Sequence, residues 1–147
     1  MGFVGLGLLV GAADASVLHS GARAWYRSLV QPPGTAPDWA LGPTWLVLSV
    51  LIGLAAWLVW RRVAAGPALQ LWGWQIAANA LWLPVFFGLH RIAFAFVVSL
   101  VLLALAAATM RAFARLSRVA GWLMLPYLLW TLYGACINAG FWWLNGA

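Results

Sequence analysis

Five long apolar runs, joined by polar connections, constrain this chain more than any other feature. They cover residues 2–19, 41–60, 69–89, 92–114 and 119–144. Each is near the ~20 residues that a helix needs to cross the hydrocarbon core of a bilayer. Strands are disfavoured, because no run alternates over ten residues and an open sheet edge is not tolerated in lipid. The runs therefore predict an all-α integral membrane protein, a bundle of five transmembrane helices.

The composition supports a chain that is dissolved largely in lipid. Hydrophobic residues make up 66% and charged residues 7% of the 147 residues, whereas a soluble domain carries about 25% charge. The net charge of +6 comes from arginines, but these stand at the ends of the apolar runs and form no basic face, so nucleic acid is not an expected partner. The single cysteine, Cys136, excludes an internal disulfide and a cysteine-based zinc site, and we expect it to be buried.

The connections between the runs indicate one domain over residues 1–147. Residues 20–40 form the one long connection, and three of its residues are prolines that restrict the backbone, so we expect an ordered polar loop. Short connections elsewhere place neighbouring helices antiparallel. These short connections are residues 61–67, 90–91 and 114–118. The run at 2–19 lacks the basic region and cleavage site of a signal peptide and is interpreted as a retained helix.

The arginines predict an orientation in the membrane. One side of the predicted bundle carries Arg61, Arg62, Arg111, Arg115 and Arg118. The other side carries Arg23, Arg27 and Arg91, offset by Asp38. Because positively charged connections stay in the cytoplasm, the N-terminus is predicted to be cytoplasmic, in what we expect to be a bacterial cell membrane.

The twelve tryptophans are too many for one explanation. Indoles favour both membrane interfaces, and this explanation suits the tryptophans near the ends of the runs: Trp25, Trp39, Trp60, Trp142 and Trp143. It suits Trp45, Trp82 and Trp130 less well, because these lie within the bundle, where an indole N–H needs a partner. Their grouping is compatible with a packed core and with an aromatic cavity for a flat apolar ligand.

The third run also carries polar side chains that lipid does not require. Gln75 and Asn79 are four residues apart, so they share one face of a helix. Polar side chains in a bundle commonly bond across helices, and Asn138 in the fifth run is a candidate partner. Pro84 removes the backbone bond to residue 80 and predicts a kink. A kinked helix with an amide ladder is one way to hold a cavity open.

Small residues in two runs predict close contact between helices. Gly73, Ala77 and Ala80 form a stripe on the third run, away from the face of Gln75 and Asn79. Such stripes permit close helix approach, so we expect a homodimer through the third helix. A second motif of this kind, Gly7 to Gly11 in the first run, is the alternative.

Few residues are suited to catalysis or metal binding. The chain has two acids, Asp14 and Asp38, which excludes most hydrolytic chemistry. Asp14 is either a functional acid within the membrane or an interfacial acid reached by water. His19 and His90 are far apart in the sequence, so no metal site is expected. No residue is assigned a catalytic role from its chemistry alone.

Three segments together resemble the TspO/MBR family of tryptophan-rich sensory proteins, which includes the mitochondrial translocator protein. They are "WYRSLVQPPGTAPDW…LGPTW", "NALWLPVFFGLHR" and "LPYLLWTLYGACIN", in this order and with similar spacing. The resemblance covers nearly the whole chain. It implies a five-helix membrane protein, often dimeric, that binds porphyrins, haem and sterol-like or benzodiazepine-type drug ligands in a cavity below the long loop, with no obligatory cofactor.

The resemblance also implies which residues contact the ligand. The ligand-binding positions would be Trp25, Tyr26, Trp45, Asn79, Trp82, Phe86, Phe94, Trp130, Gly134 and Asn138. Arg23 and Arg27 would meet the propionates of a tetrapyrrole. In some bacterial relatives, the tryptophans that match Trp45 and Trp130 are implicated in light-dependent breakdown of protoporphyrin.

The chain departs from the family pattern at three places. Gln31 replaces a lysine, and Ala36 replaces the first proline of a Pro-Pro pair. The sterol-recognition pattern requires a tyrosine followed by Lys or Arg near the end of the last helix. No basic residue follows Tyr133, and Ala139 stands at the position of the tyrosine.

Three functions are compatible with these features. The first is a tetrapyrrole-binding sensor or transporter, the second is an enzyme that photo-oxidises porphyrin, and the third is a structural membrane subunit without a ligand.

Overall fold

The described part of the chain consists of helices and the connections between them. The computed structural model describes Gly5 and residues 23–146, and this part contains no strand, so the all-α prediction is confirmed. Its helical elements are α1 (Arg23–Ser28), α2 (Asp38–Trp60), α3 (Pro67–Leu83), a π-helical segment (Pro84–Gly88), α4 (Ile92–Leu116) and α5 (Arg118–Asn145). The first predicted run lies outside the described residues, apart from Gly5, and so do Asp14, His19 and the Gly7–Gly11 motif.

Three of these helices are long and apolar enough to cross a membrane: Trp39–Trp60, Ile92–Leu116 and Arg118–Asn145. The helix α3 has 17 residues and continues directly into the five-residue π-helical segment, so the two together correspond to the third predicted run. Four of the five predicted runs are therefore helices with bounds close to those predicted. The chain is an integral membrane protein.

Short connections and small residues hold the helices together. The helix α5 packs against α4 and α2, and α4 also packs against α3. Ser117 alone separates α4 from α5, and its hydroxyl caps α5 by accepting the N–H of Ala120 at 3.3 Å. A Cβ on Gly121 would lie 2.7 Å from Cβ of Ala114, so this tight turn requires glycine. As a result, α4 and α5 run antiparallel in direct contact.

The outward faces of the helices carry large apolar side chains, as lipid-facing surfaces do. Leu46, Trp74, Val101 and Trp122 are all exposed. Cys136 is exposed as well, so the expectation that it is buried is wrong. The reason is that lipid and protein core accept the same apolar residues, and an apolar run does not distinguish the two faces of its helix.

The long connection differs from the predicted loop because it contains α1. A six-residue helix is too short to be stable alone, which is why the sequence pattern did not indicate it. After α1 the chain makes a tight turn, in which the N–H and the hydroxyl of Thr35 both donate to the carbonyl of Pro32, at 3.3 and 2.7 Å. Gly34 has φ of 85° and follows Pro33, the arrangement of a type II turn.

The kink predicted at Pro84 takes the form of a change in helix type. The helix α3 ends at Leu83, and the N–H of Leu89 then donates to the carbonyl of Pro84, five residues earlier, at 2.9 Å. Such π-helical turns follow from the missing proline N–H and often occur at functional sites. His90, two residues after the end of the segment, has a φ of 54°. The wide turn carries Val85 and Phe86 into the interior.

Candidate ligand site

An aromatic cluster lies where α1 covers the π-helical segment. Phe86 is at its centre and is 2% exposed. The ring centroids of Trp25, Trp82 and Phe141 lie 5.5, 5.2 and 5.7 Å from that of Phe86. Tyr26 lies 5.5 Å from Phe141. We call six side chains from four elements the aromatic cluster: Trp25, Tyr26, Trp82, Phe86, Phe87 and Phe141.

The rings of the aromatic cluster are in direct contact. Trp82 stacks on Phe86 with an interplanar angle of 15°, whereas Trp25 meets Phe86 edge to face at 68°. Centroid distances of 4.5–7 Å are those of touching rings. A flat ligand therefore enters between α1 and the π-helical segment only when α1 moves outward.

A hydrogen bond between α5 and α3 lies deeper in the bundle. The hydroxyl of Tyr127 donates to Oδ1 of Asn79 at 3.4 Å, and both residues are buried. The predicted pairing of Asn79 with Asn138 is wrong, because Tyr127 takes that place and the Asn138 amide has no partner among the described residues. An amide and a tyrosine hydroxyl on a neighbouring helix are equally able to hydrogen-bond an asparagine side chain. Sequence spacing alone does not tell which of the two is the partner.

Three side chains keep buried polar atoms without a hydrogen-bond partner in the part of the chain that the structure describes. They are Trp45, Trp82 and Asn138. Asn138 is 1% exposed, and Gln75 is fully buried with its side chain beside the hydroxyl of Tyr127. Unpaired polar groups in a protein interior are uncommon and unfavourable. These side chains are therefore able to bond a polar group that enters the bundle.

Trp45 and Trp130 lie on the α2 and α5 side of the bundle. The ring of Trp45 is 6.4 Å from that of Tyr127, and the ring of Trp130 is 5.2 Å from that of Tyr133. Both indoles are partly buried against the core. The aromatic ligand positions other than Phe94 thus divide into this Trp–Tyr group and the aromatic cluster. The bond of Tyr127 to Asn79 lies between the two regions.

The loop between α1 and α2 is held against α5. The hydroxyl of Tyr133 accepts the N–H of Ala36 at 2.7 Å and donates to the carbonyl of Gly34 at 2.9 Å. A Cβ on Gly140 would lie 2.7 Å from Cβ of Pro32, so glycine lets the loop dock closely. A third link joins Asn145 to Val30. We call these three contacts the loop–α5 seam.

Ala36, which replaces a proline of the family pattern, makes a hydrogen bond that the proline could not make. Its backbone N–H is the donor to Tyr133, and a proline at this position has no N–H to give. The loop of this chain therefore has a link to α5 that the usual Pro-Pro pair does not allow.

Other predicted ligand positions lie at different places. Phe94 is 54% exposed on the outer face of α4, apart from the aromatic cluster. Gly134 is half-buried, and a Cβ there would meet no atom of the described chain within 4 Å beyond its own helix. Arg23 begins α1, and Arg27 is exposed in its last turn.

The small-residue stripe and the amide ladder occupy different faces of α3. Gly73 and Ala77 are exposed and Ala80 is half-buried, whereas Gln75 and Asn79 are buried. This arrangement leaves the stripe accessible to a second copy of the chain.

Sequence reasoning missed several members of the site. Phe141 lies three residues after Asn138, so helical spacing from a polar candidate could have found it. His90 lies 4.2 Å from Trp25, ring centroid to centroid, but its contact depends on α1, which no pattern indicated. Trp25, which composition alone assigns to the interfacial belt and the family resemblance assigns to the ligand site, belongs to the aromatic cluster.

The sequence pattern of the TspO/MBR family matches residues 3–144. The chain belongs to the TspO/MBR family. It is 40% identical over 114 residues to the tryptophan-rich sensory protein of Cereibacter sphaeroides, covering 78% of this chain and 72% of the relative. Against the sheep translocator protein it is 37% identical over 123 residues, with 80% and 73% covered. For the human translocator protein the identity is 34% over 150 residues, with 97% and 87% covered.

Membership of the TspO/MBR family gives the coarse function. The relatives are named for translocation and for sensing, and three of the described helices are long and apolar enough to span a membrane. The chain therefore has a membrane sensing or transport role.

Proposed function

We propose that this TspO/MBR protein binds tetrapyrroles, protoporphyrin or haem, between the aromatic cluster and the buried amides, and that it senses or transports them. The observation that carries the proposal is the set of buried polar atoms without partners beside a group of aromatic rings. A tetrapyrrole has a flat apolar macrocycle and pyrrole nitrogens, which match rings and amides.

Helical spacing brings the two kinds of group together. Asn79 is one turn before Trp82 in α3, and Asn138 is one turn before Phe141 in α5. Residues three apart share a helix face. The amides of Asn79 and Asn138 are therefore next to the aromatic cluster, on the side away from α1. A ligand there would leave lipid and make contacts with aromatic rings and a few polar bonds. Small-molecule sites generally have this mixture of many apolar and few polar contacts.

Entry of the ligand would require α1 and the following loop to move. Their attachment consists of the ring contacts of Trp25 and Tyr26 and the loop–α5 seam. These are few contacts at one end of the bundle, whereas α5 packs extensively against α4 and α2, and α4 packs against α3. Movement of this segment would change an exposed surface of the protein when ligand binds. A partner protein could bind that changed surface, as a sensing function requires.

The test is a titration of protoporphyrin into the detergent-solubilised protein, followed by the shift of its Soret absorption. We expect a Kd in the micromolar range, which corresponds to about −8 kcal/mol and is within reach of several ring contacts. The variant Trp45→Phe/Trp82→Phe/Trp130→Phe should bind at least about tenfold more weakly, since it loses indole N–H groups and ring area.

The matched control is Trp74→Phe/Trp122→Phe/Trp143→Phe, which removes the same number of indoles from exposed positions. It should bind like the unchanged protein. Equal affinities in all three proteins would refute the proposed site. No Soret shift in any of them would favour the structural membrane subunit.

The enzymatic alternative rests on the two Trp–Tyr pairs, Trp45 with Tyr127 and Trp130 with Tyr133. Neighbouring indole and phenol rings are able to take part in oxidation chemistry. Illumination of the complex under air tests it. A saturable loss of the Soret band with a new product, abolished in Trp45→Phe/Trp130→Phe, would establish the enzyme; a stable band in the light would establish binding alone.

A further inference from the structure

We propose that the arginine pocket at the α4–α5 turn is a binding site for the phosphate headgroup of an anionic phospholipid. The pocket has a volume of about 420 Å³ and opens at the end of the bundle opposite α1. Three arginines line it, Arg62, Arg115 and Arg118, together with Ser117 and Val119. This site is separate from the aromatic cluster and does not depend on the proposed tetrapyrrole binding.

The geometry of the turn fixes the arginines in one place. Arg62 follows α2 and donates from its guanidinium to the carbonyl of Leu116, the last residue of α4. Arg115 lies in the last turn of α4, and Arg118 is the first residue of α5. Arginines from α4, from α5 and from the connection after α2 therefore line one pocket.

Among the described residues, no acid lies near the pocket to neutralise this charge. The two acidic residues of the chain are Asp14 and Asp38. Asp38 begins α2, and the pocket lies beyond the other end of this 23-residue helix, about 34 Å away at 1.5 Å per residue. Asp14 lies outside the described residues. Because no described acid reaches these arginines, an anion from outside the described part of the chain is the partner that suits them.

Phosphate is the anion that the pocket fits best. The planar guanidinium binds phosphate oxygens through two parallel hydrogen bonds. The N-terminus of α5, capped by Ser117, points its positive dipole end into the same turn. Both contributions favour a group with several negative oxygens over a single halide ion.

The surroundings of the pocket favour a lipid over a soluble phosphate. Val119 lines the pocket and is 61% exposed, and Trp122, one turn further along α5, is 71% exposed. Both apolar side chains lie on a helix that spans the membrane. A phospholipid would place its phosphate among the arginines and its acyl chains along this apolar face.

Native mass spectrometry of the full chain in nonionic detergent tests the proposal. The probes are phosphatidylglycerol and phosphatidylcholine with identical acyl chains. We expect the protein to prefer phosphatidylglycerol. The preference should fall about fivefold in Arg118→Gln, since one arginine near a membrane surface contributes about that factor. It should fall more than tenfold in Arg115→Gln/Arg118→Gln, while Arg118→Lys should keep most of it.

The matched control is Arg91→Gln. Arg91 is exposed and stands at the N-terminus of α4, as Arg118 stands at that of α5, but at the other end of the bundle. It should keep the preference within about twofold. An equal loss in Arg91→Gln would mean that overall charge, not the pocket, selects the lipid, and would overturn the proposal.

Two further outcomes would also overturn it. One is equal binding of the two lipids by the unchanged protein. The other is displacement of phosphatidylglycerol by millimolar inorganic phosphate or glycerol 3-phosphate, which would make a soluble phosphate the ligand. Circular dichroism of each variant checks that it is folded; if Arg118→Gln is not, Arg115→Gln alone, on an exposed position of α4, gives the comparison.

Discussion

The side-chain amide of Asn145 bonds both backbone polar groups of Val30. Its Oδ1 accepts the N–H of Val30 at 2.8 Å, and its Nδ2 donates to the carbonyl of Val30 at 2.9 Å. The two residues are 115 positions apart, so the pair ties the end of α5 to the chain just after α1. Together with Tyr133 it makes the loop–α5 seam the attachment of the segment that covers the aromatic cluster.

The double variant Asn145→Ala/Tyr133→Phe should loosen this segment. It loses the two bonds to Val30 and those of the Tyr133 hydroxyl to Gly34 and Ala36. Each net hydrogen bond contributes about 1 kcal/mol, so the open population should rise at least about tenfold. Amide hydrogen exchange of residues 29–37 measures it directly. Protoporphyrin should also associate and dissociate faster, with a smaller change in Kd.

The control for the seam is Trp143→Ala, a large change at an exposed position near the same end of α5. Its exchange rates should equal those of the unchanged protein. Fast exchange of residues 29–37 in the unchanged protein would contradict a closed segment, and unchanged exchange in the double variant would show that other contacts hold it.

Gly134→Leu should block tetrapyrrole binding without harming the fold. The position has room for a side chain in the described structure. Leucine is also a better helix former than glycine, by about 0.7 kcal/mol. The added side chain would project into the space that the ligand is proposed to use. We expect at least about tenfold weaker binding of protoporphyrin in the Soret titration, with an unchanged or higher Tm.

The matched control is Gly42→Leu, since Gly42 also lies within a helix and also has open space at its Cβ. It should leave the affinity unchanged. If Gly134→Leu binds protoporphyrin as well as the control does, Gly134 faces lipid and not the ligand.

Apolar runs predicted four of the described helices because each must satisfy its backbone within lipid. The same physics explains the error at Cys136, since lipid-facing and core-facing positions are equally apolar. The small helix α1 could not be predicted from local pattern, because Trp25 and Tyr26 stabilise it through rings that are about 60 or more positions away in the chain.

The candidate site could be predicted only in part. Pro84 and Phe86 pointed to an altered helix near aromatic residues, and the π-helical segment is there. By contrast, the bond of Asn79 to Tyr127 in place of Asn138 depends on the rotation of α5 about its axis. Sequence spacing fixes which residues share a face of one helix, but it does not fix which faces of two helices meet.

Ala77→Phe should convert a dimer into a monomer. Ala77 and Gly73 are exposed on α3, and small residues permit the close backbone approach on which helix association in lipid depends. A phenyl ring would hold the two helices apart. Cross-linking in detergent or light scattering measures the mass. Ala93→Phe, on an exposed position of α4, is the control and should remain dimeric; a dimer that persists in Ala77→Phe would direct attention to the Gly7–Gly11 motif.

Arg23→Gln/Arg27→Gln should weaken binding of protoporphyrin but not of its dimethyl ester. Both arginines belong to α1, which covers the aromatic cluster, so the proposed pose directs the propionates toward them. A charge-assisted bond contributes about 1.5–3 kcal/mol when shielded and much less in water, so we expect up to about tenfold loss per shielded contact. The control is Arg111→Gln, which removes an exposed arginine at the opposite end of the bundle, as Arg27→Gln does near the cluster. It should bind protoporphyrin like the unchanged protein. Equal losses for the acid and the ester would refute the propionate contact while leaving the aromatic site standing.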